Sequence, residues 1–229
     1  MDVRERFQNA ADLVKKGQYH KATDEFIWLW NHMLDEDKSF TGVRYSYLIG
    51  WMKRLMELHE DAQVRFTALR DQLTPRFEPG STDYRPISDW FTLCNNLLED
   101  HSAIATWVDE LLACESKPLE LRIMRGTIIS WMFEQGRWKD AGELLDPGPV
   151  VAAEARLSEE REKYNDEFNE ETRNALRDNR LKSMAMKQLC YDAAGRIEES
   201  QLTIELMIEL FGNDQTQSMI QDLTKERGQ

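Results

Sequence analysis

The sequence predicts an all-α protein on three observations: turn-formers are scarce, apolar residues recur at helical spacing, and one glycine-centred helix–turn–helix phrase returns three times. Only 11 glycines and 6 prolines punctuate 229 residues, and Asn-Gly and Asp-Gly hairpin turns do not occur. That is too little turn chemistry for a many-stranded β fold. A composition 41% hydrophobic and 31% charged belongs to a folded chain able to bury a sizeable core.

The phrase first reads Ala10-Ala11-x-Leu13-Val14-Lys15-Lys16-Gly17-Gln18-Tyr19-His20-Lys21-Ala22, then Phe26. Gly17 ends one helix in the left-handed conformation that glycine reaches cheaply. Tyr19 then opens the next helix, and Ala22 is small where the partner helix must approach. The same order returns as Gly136-Arg137-Trp138-Lys139-Asp140-Ala141 before Leu144 and Leu145, and as Gly195-Arg196-Ile197-Glu198-Glu199-Ser200 before Ile204. Two units without the glycine fill the gap: Ala62 with Phe66 after a helix over Val43–Glu57, and Ile104 with Val108 after a helix over Pro86–Leu98.

This grammar resembles the turn and second helix of the tetratricopeptide repeat. The resemblance implies a right-handed α-solenoid of about five degenerate helix pairs in one domain over 1–229, closed by a polar capping helix at Asp214–Lys225 with Met219, Ile220 and Leu223 facing inward. The anchors Ala22, Ala62, Ile104, Ala141 and Ser200 recur after 40, 42, 37 and 59 residues, longer than the roughly 34 of that repeat. The extra length falls in 150–183, a polar helical insertion with a narrow stripe of Leu157, Tyr164, Phe168, Leu176 and Leu181, interrupted near Asn165–Asn169. A narrower resemblance covers the first quarter. Phe26-Ile27-Trp28-Leu29-Trp30-Asn31-His32, Gly42-Val43-Arg44 and Trp51 look like a group of bacterial tetratricopeptide-like proteins of unassigned function.

Punctuation agrees with this division. Asp37-Lys38-Ser39 and Thr41-Gly42 separate pairs, the longest loop-like stretch runs from Thr74-Pro75 to Pro86, Ser116 is a candidate cap ahead of Pro118, and Asp146-Pro147-Gly148-Pro149 is the sharpest break.

Charge excludes some partners. With 42 acidic and 29 basic residues the net charge is −13, the reverse of what phosphate neutralisation requires, so nucleic acid and anionic membrane surfaces are disfavoured. No stretch approaches the roughly 20 apolar residues of a membrane span, and Met1-Asp2-Val3-Arg4-Glu5-Arg6 leads into a polar helix rather than a signal core. Cys94, Cys114 and Cys190, an odd set among apolar neighbours, read as reduced core thiols of a cytoplasmic protein.

Catalytic signatures are missing: no phosphate-binding glycine loop, nucleophile elbow or His-Glu-x-x-His occurs, and no cofactor is expected. His32, followed by Asp35, Glu36 and Asp37, is the candidate for a metal-dependent enzyme or regulator; its plainer role is a histidine at a helix C-terminus. His20, His59 and His101 read as solvated residues at turns or helix starts. Of seven tryptophans, Trp28, Trp51, Trp90, Trp107, Trp131 and Trp138 read as interlayer core, whereas Trp30 falls on a different face and is either at a repeat interface or exposed.

In tetratricopeptide-like units the first helix of each pair lines a concave groove. Counting back from the anchors places Arg44, Tyr47, Trp51 and Arg54 there in the second unit, Asp89 and Asn96 in the third, Ser130 in the fourth and Lys182 in the fifth, with Arg122 and Arg125 close by. Arg44 and Arg54, with aromatic shelves at Tyr47 and Trp51, fit a carboxylate or an extended acidic peptide. Alternatively Arg44 pairs with an internal carboxylate, such as Asp35 or Glu25, and holds helices together. The leading expectation is a non-enzymatic scaffold for a protein or peptide partner; homo-oligomeric assembly through 150–183 is a further reading.

Overall fold

The computed structural model describes residues 2–77, 83–115, 118–163 and 168–227, and every regular element among them is a helix. The chain divides into two compact units, Met1–Met124 and Arg125–Gln229.

In the first unit α1 (Val3–Lys15) starts at a capping box: the Glu5 amide donates to Asp2 Oδ1 at 2.8 Å, and the Glu5 carboxylate takes the Asp2 amide. It is followed by α2 (Tyr19–Glu36), α3 (residues 41–58), α4 (Glu60–Asp71), α5 (residues 85–98) and α6 (His101–Ala113). The α2 helix packs on α1, α3 and α4; α3 packs on α4 and α5; and α5 packs on α4 and α6. Phe26, Leu29, Trp30, Met33, Leu48, Met52, Leu55, Phe66 and Leu93 fill the space between them, all essentially inaccessible.

The boundary between the units falls inside α7 (Leu119–Glu134). In the second unit come α8 (Trp138–Leu144), α9 (Gly148–Lys163), α10 (Glu170–Ala193), α11 (Ile197–Phe211) and α12 (Asn213–Arg227). The long α10 is its centre and packs on α8, α9, α11 and α12. Leu189, Tyr191, Leu206, Met207, Phe211 and Leu223 are buried here.

The three glycine turns share one geometry. Gly17, Gly136 and Gly195 have φ of 72°, 72° and 74°. At each, the amide after the glycine bonds back five residues, as Gln18 to Leu13, Arg137 to Met132 and Arg196 to Tyr191. The glycine amide itself bonds back three. This double closure satisfies the last carbonyls of a helix. The small residues five positions on, Ala22, Ala141 and Ser200, are buried. Of the bulky residues two positions on, Trp138 is buried, Tyr19 half-buried and Ile197 exposed. Five residues before Ile104, where the sequence has no glycine, Glu99 takes the left-handed conformation instead, with φ 54°.

Several expectations are corrected. Trp28 and Trp51 are only half-buried, Trp28 lying under the Arg6 guanidinium, 3.6 Å from its ring centre; of its two alternatives Trp30 takes the buried one, packed where α2 meets α3. Cys94 and Cys190 are buried, but Cys114 is exposed beyond the end of α6. Over 150–183 the contact residues are Val151, Ala152, Ala155 and Leu181; Leu157 is exposed, since α9 meets α11 through its small residues. Asn169 caps α10, its side chain accepting from the Thr172 amide at 2.8 Å. Tyr164, most of the interruption expected near 165–169, the Ser116 cap and residues 78–82 of the loop lie outside the described residues. Pro147-Gly148-Pro149 is not a simple break: Gly148 opens α9.

A close helix approach falls one residue beyond the expected one. A Cβ on Gly142 would lie 2.0 Å from the Cys190 carbonyl oxygen and 2.8 Å from Ala194 Cβ. Gly142→Ala is expected to lower unfolding free energy by about 3 kcal/mol, whereas Gly126→Ala, in a helix with open space around it, raises it by about 0.5–1 kcal/mol. Urea denaturation of the two variants checks the contrast.

Candidate functional site

An arginine keeps its proton at any ordinary pH, so a buried guanidinium needs an anionic partner and acceptors for its remaining donors. Arg44 is 3% exposed and meets Asp89, 6% exposed. Its Nη1 and Nη2 donate to the two carboxylate oxygens at 2.5 and 2.7 Å, and Nε donates to the Trp30 carbonyl at 2.9 Å. The guanidinium lies 3.9 Å from the centre of the Trp30 ring, where the ring's negative face attracts it. Tyr45 stands edge-on to Trp30 and donates its hydroxyl to Asp89 Oδ1 at 2.7 Å. One network thus ties α2, α3 and α5 together. Burial first, and the Asp89 charge second, push the Tyr45 phenol up to about 12.

Arg44 and Asp89 were expected to face a partner-binding groove. Both are instead buried and bound to each other. The alternative, an internal carboxylate that holds helices together, is what the structure shows; the carboxylate is Asp89, whereas Asp35 binds Arg85 at 2.9 Å and Glu25 binds Arg6.

Helix geometry explains the displacement. Residues Arg44–Leu48 form a π-helical stretch within α3, and Leu93–Leu98 form another within α5. A π turn holds an extra residue, so positions on either side no longer share the face that a 3.6-residue period assigns them. Arg44 turns inward, while Tyr47 is 70% exposed, Trp51 is half-buried and Arg54 is exposed. In α5, Asp89 is buried and Asn96 exposed, its side-chain oxygen accepting from Asn95 at 2.8 Å. Arg54 reaches only its helix neighbour Glu57, at 2.9 Å, with both side chains well solvated.

Beside Tyr45 is an open pocket of about 680 Å³ lined by Leu34, Asp35, Lys38, Tyr84, Arg85 and Ser88. The hydrogen bond between Arg85 and Asp35 raises the arginine's pKa and lowers the carboxylate's. Those charges satisfy each other, which leaves Lys38 and the Tyr84 phenol at the rim. Tyr45 and Arg85 are the members of this site that sequence reading missed. The signal that pairs Arg44 with Asp89 was present: opposite charges at groove positions of successive first helices.

The other predicted groove residues are not drawn to this site. Arg122 is exposed on α7. In the second unit Arg125 binds Asp146, Ser130 donates to the Gly126 carbonyl, and exposed Lys182 lines a pocket of about 650 Å³ with Phe133, Glu134, Trp138, Met186 and Leu223. The Phe133 and Trp138 rings stack there at 4.5 Å.

His32 is exposed and rests against the Trp28 ring at 4.9 Å. Among the described residues, the group with three possible metal ligands is not at His32. It consists of His20, His59 and Asp61. Nor is His59 simply solvated, for its Nε2 is shielded from water without a hydrogen-bond partner. No described helix is long and apolar enough to cross a membrane. Compared with protein-family profiles, curated proteins and solved structures, the chain matches none.

Tyr191, in the second unit, is likewise pushed up to about 12, chiefly by burial. A phenol whose folded pKa exceeds its unfolded value near 10 adds stability in full below pH 10 and loses it as pH rises towards 12. Ultraviolet titration is expected to show Tyr45 and Tyr191 ionising late, with the melting temperature falling over that window. Ionisation of Tyr45 and Tyr191 near pH 10 in a folded chain contradicts the assignment.

Proposed function

We propose that the chain is a non-enzymatic scaffold that holds a protein or peptide segment along the exposed face of α3. In this reading the helix pairs of each unit stack as right-handed, tetratricopeptide-like repeats. The identical glycine turns, the buried small residues five positions later and the packing of α2 and α3 on both the next helix and the one after support it. Such repeats present extended surfaces rather than deep clefts.

The observation that carries the binding proposal is Tyr47, an aromatic ring 70% exposed on a helix whose opposite side is core. Trp51 and Arg54 follow it at i+4 and i+7. Tyrosine and tryptophan supply wide contact at small entropic cost, and both are enriched where binding energy concentrates. The two rings form an apolar shelf, and Arg54 can exchange its weak, solvated contact with Glu57 for a partner's carboxylate. Arg44 and Asp89 underneath fix the helix that carries the shelf without touching the partner. With a net charge of −13, the preferred segment is apolar with a local carboxylate rather than acidic throughout.

Selection of peptides on the full chain, followed by calorimetric titration, tests this. Tyr47→Ala and Arg54→Glu are each expected to weaken binding at least tenfold, about 1.4 kcal/mol, with the melting temperature essentially unchanged. Selected peptides that bind both variants as tightly as the parent would place recognition elsewhere.

A further inference from the structure

We propose that His20, His59 and Asp61 form a divalent transition-metal site of the zinc-binding class, fastening the start of α2 to the start of α4. The inference is independent of the binding face on α3.

The three side chains come from different places in the chain. His20 lies in the first turn of α2, His59 at the junction of α3 and α4, and Asp61 in the first turn of α4. Folding brings one ligand atom from each within 4.8 Å of the others. Asp61 Oδ2 stands 3.6 Å from His20 Nδ1 and 3.9 Å from His59 Nε2. These separations are too long for hydrogen bonds, so the carboxylate and the imidazoles face one another without bonding. Around a tetrahedral zinc with bonds of about 2.0–2.2 Å, ligand atoms lie roughly 3.4 Å apart. The set is already near that spacing, and the His20 side chain, 72% exposed, is free to close the remainder.

His59 supplies an independent observation. Its Nε2 is buried without a hydrogen-bond partner among the described residues, an arrangement that lowers stability unless something completes it. Its backbone is held extended at the α4 N-cap, and its ring lies 5.8 Å from that of Tyr19. The nitrogen is therefore presented in a fixed direction. A metal ion between it, His20 and Asp61 satisfies it directly.

Donor chemistry sets the class of ion. Two imidazoles and one carboxylate suit zinc and its neighbours rather than calcium or magnesium, which prefer all-oxygen ligands. Three protein ligands leave a fourth position for water. The positive end of the α4 dipole disfavours a cation, but Glu60 and Asp61 in its first turn offset this. An ion bound only by the folded chain stabilises it by mass action.

The test is calorimetric titration of zinc chloride into the metal-stripped, untagged full chain carrying Cys114→Ser, which removes the exposed thiol as a competing ligand. One saturable equivalent and a rise in melting temperature are expected. His20→Ala, His59→Ala and Asp61→Asn should each weaken binding at least tenfold, whereas His32→Ala leaves it unchanged. If His59→Ala does not fold, the exposed pair His20→Ala and Asp61→Asn decides. Binding that is not saturable, or that survives both of those substitutions, overturns the site.

Discussion

A charge that cannot be removed must be matched where it is buried, and Arg44 imposes that requirement on the first unit. Its partner Asp89 lies 45 residues further along the chain, and its Nε donates to the Trp30 carbonyl of α2. The pair is bidentate, which fixes angle as well as distance, so α2, α3 and α5 are held in one register. Hydrophobic burial around Phe26, Leu48 and Leu93 stabilises the unit without specifying that register as sharply. The π-helical stretch at Arg44–Leu48 belongs to the same arrangement, because it turns the guanidinium inward while leaving Tyr47 in solvent.

A related solution occurs independently in the second unit. Arg196, the residue after the Gly195 turn, donates to the Gly142 and Leu145 carbonyls at 2.9 Å and to Glu199 at 2.8 Å. These carbonyls belong to the C-terminal end of α8, where helix geometry leaves acceptors without internal partners and the dipole favours a cation. Tyr191 supports the same end through a 2.6 Å hydrogen bond to the Asp146 carbonyl and lies under the Arg196 guanidinium. Arg44, which a sequence reader would offer to an external partner, serves as an internal fastener. In the reading proposed above, the recognition surface is then aromatic, with Arg54 as its cation.

Much of the helical organisation was legible in the sequence because it depends on local chemistry. Gly17, Gly136 and Gly195 announce left-handed helix ends, and Ala22, Ala141 and Ser200 mark buried contacts within a turn of them. Glu99 was not legible as the equivalent of a glycine, since nothing in its side chain advertises a positive φ. Gly142 was missed beside Ala141 because the depth of a helix contact depends on the facing element, α10, and not on the local phrase. The candidate site was less readable. A 3.6-residue count carried Arg44 and Asp89 onto the same faces as Tyr47 and Asn96, and the π-helical stretches break that count. His20 and Asp61 lie 41 residues apart, and their approach is a property of α2 packing on α4 rather than of any spacing.

The most direct test of the central interaction is a double-mutant cycle on unfolding free energy with Arg44→Met, Asp89→Leu and the pair. Each single change strands a buried charge and is expected to destabilise by about 3–5 kcal/mol. The double variant should recover at least about 2 kcal/mol of the summed loss, as charges in contact do. Additive losses, or an Arg44→Met variant as stable as the parent, would contradict the account.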